Sequence, residues 1–185
     1  MNKGTKTLIF LSIVLILFVG IFIATSKVEK NKTDDNMQQN NNSISLGISD
    51  KNINFVDVKN QVDQYTVKVE RDEGKETYFI LNENREVSQS MLEIFMDTLK
   101  NMKPLQIVDE TSEELSKYGL DHENASINIV FEDGTNMTLK LGNDAPLSQG
   151  AYMLSGIDGK VYLILESDKE IFLNTKEFYL NPKND

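Results

Sequence analysis

The sequence predicts an α+β fold, with one N-terminal transmembrane helix followed by a single domain of antiparallel β-hairpins packed with two or three helices. Three observations lead there. An uncharged, predominantly apolar run occupies residues 8–25. Three acidic loops ending in glycine separate segments in which apolar and polar residues alternate. A stretch between the first two loops instead repeats its apolar residues at helical spacing. Runs of hairpins with few helices point to an antiparallel α+β domain.

Residues 1–7 form a short leader carrying Lys3 and Lys6. From Leu8 to Ala24 there is no charge, and only Ser12 and Gly20 interrupt the apolar side chains. With Thr7 and Thr25 the run rises about 28 Å as a helix, close to a hydrocarbon core of roughly 30 Å. A soluble helix would show an apolar stripe, whereas this one is apolar all round. Ala24-Thr25-Ser26 offers the small residues a signal peptidase reads, but the run exceeds the usual apolar length of a cleaved signal. An uncleaved anchor over 8–25 is therefore expected. Lys27, Lys30 and Lys32 follow the span, so basic residues alone do not orient it. The short leader before a signal-anchor places the C-terminal domain outside the cytoplasm. Residues 26–52, rich in Asn, Gln and charged groups, read as a flexible polar tether, because a segment with so little to bury cannot offset its ordering entropy. The α+β domain is expected over 53–180.

In the first hairpin, Tyr65, Val67 and Val69 alternate with Thr66, Lys68 and Glu70, and Thr77, Phe79 and Leu81 resume the pattern. A three-residue loop, Asp72-Glu73-Gly74, sets Val69 opposite Thr77, Val67 opposite Phe79 and Tyr65 opposite Leu81. Next comes an amphipathic helix with Val87, Met91, Phe95, Leu99 and Met102 on one face and Ser88 or Ser90 as N-cap. Beyond Pro104, a short helix over 112–118 ends at Gly119. The loop Glu132-Asp133-Gly134 pairs Ile129 with Met137, Ile127 with Leu139 and Ala125 with Leu141, whereas a two-residue turn would split that apolar face. A third hairpin turns at Ile157-Asp158-Gly159, joining the Tyr152 region to Val161–Leu165, and a terminal helix spans 167–172.

Composition excludes several functions. Residues 44–185 carry 14 basic against 26 acidic side chains, a net of −12, and a phosphate backbone is repelled by such a field, so no nucleic-acid partner is expected. With no cysteine there are no disulfides, thiolate nucleophiles or thiolate metal sites. His122 is the only histidine; flanked by Asp121 and Glu123 in a polar turn, it reads as a solvated loop residue rather than a general base. The three acidic glycine loops lack the ligand spacing of a calcium hand and are explained by turn chemistry. The methionines at 91, 96 and 102 read as core packing before a binding groove. No residue is assigned a catalytic, cofactor-binding or metal-binding role.

Tyr118-Gly119-Leu120-Asp121, Ala125, the strand 127–131, Asp133-Gly134, Leu139-Lys140-Leu141-Gly142, Gly150-Ala151-Tyr152 and Val161-Tyr162-Leu163 follow one another in an order that resembles the bacterial family catalogued as domain of unknown function 4340. The likeness extends over most of 53–178 and is strongest over 115–165. The proline often found soon after the first element is absent from His122-Glu123-Asn124. The resemblance implies a domain tethered by one N-terminal helix and, in some members, an auxiliary component encoded beside ABC-type transporters; it implies no catalytic residues. The expected function is a non-catalytic accessory or interaction module of an envelope complex, held in the membrane through residues 8–25 and partnered by an envelope protein such as a permease. A structural or ligand/ion-binding envelope module is the alternative, and an acid-dependent hydrolase a lesser one.

Overall fold

The computed structural model describes residues 44–181 apart from Glu123. The leader, the expected membrane span over 8–25 and the tether up to residue 43 lie outside the described residues. Among the described residues, no helix is long and apolar enough to cross a membrane.

The chain forms β1 (Ile53–Asn60), β2 (Gln64–Asp72), β3 (Lys75–Ile80), α1 (Gln89–Asn101), β4 (Gln106–Asp109), a 3₁₀ turn (Leu115–Tyr118), β5 (Ala125–Phe131), β6 (Asn136–Asp144), a 3₁₀ turn (Pro146–Ser148), β7 (Ala151–Ser155), β8 (Val161–Ile164), α2 (Glu166–Leu173) and a last 3₁₀ turn (Lys176–Tyr179). The strands make one antiparallel sheet in the order β3-β2-β1-β5-β6-β7-β8-β4. The α+β class and the hairpin architecture are therefore as expected. Two strands were not anticipated. β1 carries apolar residues on both faces, Phe55 on one and Val56 and Val58 on the other, so its alternation is blurred; β4 is only four residues long.

The second hairpin has the expected register, with Ala125 opposite Leu141, Ile127 opposite Leu139 and Ile129 opposite Met137. The first hairpin corrects the expectation. Val67 faces Ile80, Val69 faces Tyr78 and Asp72 faces Lys75, which leaves a two-residue turn of Glu73 and Gly74. Both turn residues have positive φ, 47° and 82°, the geometry whose twist matches that of paired strands. Moving the register by one residue sends Tyr78 and Ile80 into the core and leaves Phe79 and Leu81 about 40% exposed. Period two could not choose between these sets; the helix lying over β3 does.

One sheet face packs on α1, α2 and the terminal 3₁₀ turn. α1 buries Leu92, Phe95, Met96 and Leu99, with Met102 just beyond it, while Val87 and Met91 are only partly buried. Phe95, Leu99 and Met102 are buried as expected, and Leu92 and Met96 complete the stripe in place of Val87 and Met91. Ser88 is the N-cap residue but makes no side-chain capping bond. The Phe95 ring meets Phe172 of α2 and Tyr179 edge-on at centroid distances of 5.3 and 5.7 Å, a geometry aromatic quadrupoles favour. The tether expectation is also corrected at its C-terminal end. Leu46 and Ile48 are buried in this core, so the packed chain begins near residue 44 rather than 53. The expected helix over 112–118 is shorter, a 3₁₀ turn ended by left-handed Gly119 (φ 66°), and the terminal helix is found within a residue of its expected bounds.

Candidate functional site

Opposite the helices, the face of β3, β2, β1, β5 and β6 stays open: its outward residues, from Phe79 to Thr138, are all partly or largely exposed. Strand register brings them into rows. One row is polar. Asp57 Oδ1 accepts from the Thr66 hydroxyl (2.7 Å), Asp57 Oδ2 from Asn128 Nδ2 (3.2 Å), and Asn128 Oδ1 from the Thr138 hydroxyl (3.3 Å), a ladder across four strands. The neighbouring row is mostly apolar, running Phe79, Lys68, Phe55 and Val130 through directly opposed pairs. Lys68 is turned along its own strand to Glu70 (2.6 Å). This is partly exposed apolar surface beside a hydrogen-bonded polar row that ties the strands together.

The β3 edge of this face is closed by a side chain. The Tyr78 N–H donates to Gln89 Oε1 (2.9 Å), and Gln89 Nε2 donates to the Tyr78 carbonyl (2.8 Å), as a paired strand would. Beside it, Glu76 accepts from Arg71 (2.9 Å), Lys100 of α1 (2.7 Å) and the Tyr78 hydroxyl (2.8 Å). Burial works against the Glu76 charge, but these three donors outweigh it and lower its pKa to about 2. Arg71 also donates to Glu132 (2.8 Å) and to the Ile53 carbonyl (2.8 Å). Every charge in this cluster is matched, so it reads as a tie between hairpin and helix rather than reaction machinery. A cleft of ≈420 Å³ lies just beyond, lined by Phe79, Ile80, Val87, Gln89 and the loop Glu83 to Glu86. Arg85 there is held by Glu83 (3.3 Å) and Glu177 (2.5 Å).

The residues weighed from sequence fall elsewhere. His122 has a side chain 94% exposed, with Asp121 Oδ2 3.8 Å from its Nε2. It borders a second cleft of ≈410 Å³ with Lys59, Asn60, Gln61 and Asp121. The acidic loops turn hairpins at the opposite end of the strands. Asp133 accepts from the Thr135 hydroxyl and N–H (2.5 and 2.8 Å) and from Lys51 (3.0 Å), contacts that bring its carboxyl to a pKa of about 2. Asp158 accepts from the Tyr162 hydroxyl (2.5 Å), and burial followed by this bond pushes the phenol up to about 12. Among the described residues, no three His, Asp or Glu side chains converge as a metal site. Sequence reasoning missed Gln89 and the Asp57 row, because their roles arise only when distant strands and the helix meet.

The residues that carry the family resemblance serve packing. Tyr118, Leu120 and Val161 form a second small core on the outer face at β7 and β8, flanked by Tyr152 and Leu154. The Tyr118 hydroxyl donates to Asp109 (3.2 Å), and its ring meets that of Tyr152 at 5.0 Å. Gly142 lets this segment lie directly on β6, since a Cβ there would sit 2.3 Å from the Tyr118 carbonyl oxygen. Gly150 similarly lies against the Ile164 carbonyl, 2.2 Å from where a Cβ would be. Neither a curated protein nor a solved structure matches the chain. The family model described as a domain of unknown function (DUF4340) matches residues 81–182, from just after β3 through α1 and the second and third hairpins; β1, β2 and β3 lie outside the match. On that match, which spans more than half of its residues, the chain belongs to the DUF4340 family.

Proposed function

We propose that the chain is a membrane-anchored, extracytoplasmic, non-catalytic accessory module of an envelope complex such as an ABC-type transporter, and that it engages its partner through the open sheet face. The observation that carries this reading is the asymmetry of the sheet. One face has a finished core, while the other presents Phe79, Phe55 and Val130 in a row, partly exposed and braced by the Asp57 ladder. Surfaces of this kind bury well against a partner and supply little chemistry. The ionised groups support the same reading, because the strongly shifted carboxylates Glu76 and Asp133 are engaged by neighbours rather than directed into a cleft. The apolar run over 8–25 supplies the anchor and the polar residues after it the reach.

Mild crosslinking in cells, followed by detergent purification of the full-length protein and mass spectrometry, tests this. Recovery of a multi-span permease at stoichiometric level is expected, with Phe79→Asp reducing it while the melting temperature is retained. A chain that always purifies alone at native expression, with its anchor intact, overturns the reading.

A further inference from the structure

Three leucines stand exposed at one end of the sheet. Leu147 is 89% exposed, the largest fraction for any large hydrophobic side chain among the described residues, and Leu105 and Leu165 are 49% and 47% exposed. Strand register places them at adjoining strand ends. Leu105 leads into β4, where Gln106 faces Leu163 of β8; Ile164 of β8 faces Ala151 of β7; and Ala151 faces Asp144 of β6. Leu165 follows Ile164 directly, and Leu147 tips the loop between β6 and β7.

That loop is held rather than loose. Ala145 donates its N–H to the Gly150 carbonyl (2.7 Å), and Gly150 rests on the Ile164 carbonyl. At its tip Leu147 takes φ 61° and ψ 30° and Ser148 φ 53°. A bulky residue in the left-handed region is an energetic outlier. Leu147 recovers little by burying its own side chain, since nearly all of that side chain faces solvent. The charges around the patch are unequal. Glu166 and Asp168 occupy the first turn of α2, immediately after Leu165, and neither forms an ion pair among the described residues. Asp144 is matched by Lys169 (2.7 Å), and Lys103 lies on the β4 flank. An apolar centre with a polar rim is the anatomy of a protein interface, whereas an anionic bilayer would repel the Glu166 and Asp168 side.

We propose that this end of the sheet is a protein-docking surface, with Leu147 as its anchor, Leu105 and Leu165 beside it, and a partner that offers an apolar pocket with Lys or Arg facing Glu166 and Asp168. It goes beyond the open-face reading, because it lies at the strand ends and requires neither a membrane anchor nor an envelope location.

The test places a benzophenone photo-crosslinking residue at Gln149, which is exposed and has ordinary helical φ and ψ (−75° and −11°). Ile157, 60% exposed on the β7–β8 loop at the opposite end, serves as the control position. Full-length protein is irradiated in its native host. One discrete adduct is expected from position 149 and none from 157, mapping to an apolar segment of another protein that carries Lys or Arg. Leu147→Asp, and separately the pair Glu166→Lys and Asp168→Lys, should each cut its yield roughly tenfold while thermal melting shows the fold intact. Absence of an adduct at 149, equal adducts at 157, an adduct to phospholipid or to a second copy of this chain, or a yield insensitive to these substitutions overturns the proposal. A soluble partner mapped at 149 would leave it standing and sink the transporter reading. A permease that copurifies but never crosslinks from 149 does the reverse.

Discussion

Gly142 and Glu73 show what single positions carry. At Gly142 the obstacle to any side chain is backbone: a Cβ would meet the Tyr118 carbonyl oxygen at 2.3 Å, which no rotamer change relieves. Gly142→Ala is expected to cost about 2–4 kcal/mol or to detach the 118–120 segment from β6. Gly134→Ala, where nothing lies within 4 Å and only the φ of +81° is unfavourable, should cost about 1 kcal/mol. Urea denaturation of the two variants checks the ordering, and equal midpoints would refute it. Glu73 is the reverse case, a non-glycine residue at φ 47° in a two-residue turn. Asn tolerates that region better than Glu, so Glu73→Asn should stabilise by about 0.5–1 kcal/mol. The check is calorimetric: a melting temperature that falls would mean the turn is not of the two-residue form.

At the scale of elements, the tie between the first hairpin and α1 is electrostatic and its pH dependence has a definite sign. Glu76 is ionised in the folded protein down to about 2, below its usual 4.5, because Lys100, Tyr78 and Arg71 donate to it. Protons therefore bind the unfolded chain more readily than the folded one in this window. The stabilisation is complete above about pH 4.5 and fades as pH falls toward 2. Glu76→Gln should lower stability at pH 7 and flatten the stability profile between pH 5 and 2.5, measured by denaturant midpoints. A profile as steep as in the parent would place the acid sensitivity in other carboxylates. In the same hairpin, alternation alone does not select the register. Thr77, Phe79 and Leu81 form one alternating set and Glu76, Tyr78 and Ile80 another. The second wins because Tyr78 and Ile80 meet the core under α1 while Gln89 satisfies the outward backbone of Tyr78.

For the whole molecule, the core boundary is the sharpest expectation. Leu46 and Ile48 are 8% and 1% exposed and belong to the same cluster as Phe95 and Ile127. A fragment of residues 44–181 should unfold in one cooperative transition. One beginning at residue 53 should lose roughly 2–5 kcal/mol with those two side chains. Circular dichroism with urea compares the two, and equal stability would mean that the 44–48 segment only rests on the surface.

The sequence by itself determined the α+β class, the hairpins around Gly134 and Gly159, the terminal helix and the position of α1. Each follows from a local pattern: period two beside turn chemistry for the hairpins, and helical spacing for the helices. The glycine-rich family elements were also legible, although their reason was not; Gly142 and Gly150 are small because another backbone crosses them, and that crossing is invisible along the chain. Tertiary structure alone decided the register of the first hairpin, the membership of Leu46 and Ile48 in the core, and the strands β1 and β4. It also brought together the candidate surfaces, the Asp57 row across four strands and the three leucines at three adjoining strand ends. The physical reason is the same in each case. Local patterns fix which residues alternate, but which face is buried, which edge is capped and which distant side chains become neighbours depend on long-range pairing, and one residue of register reverses the answer.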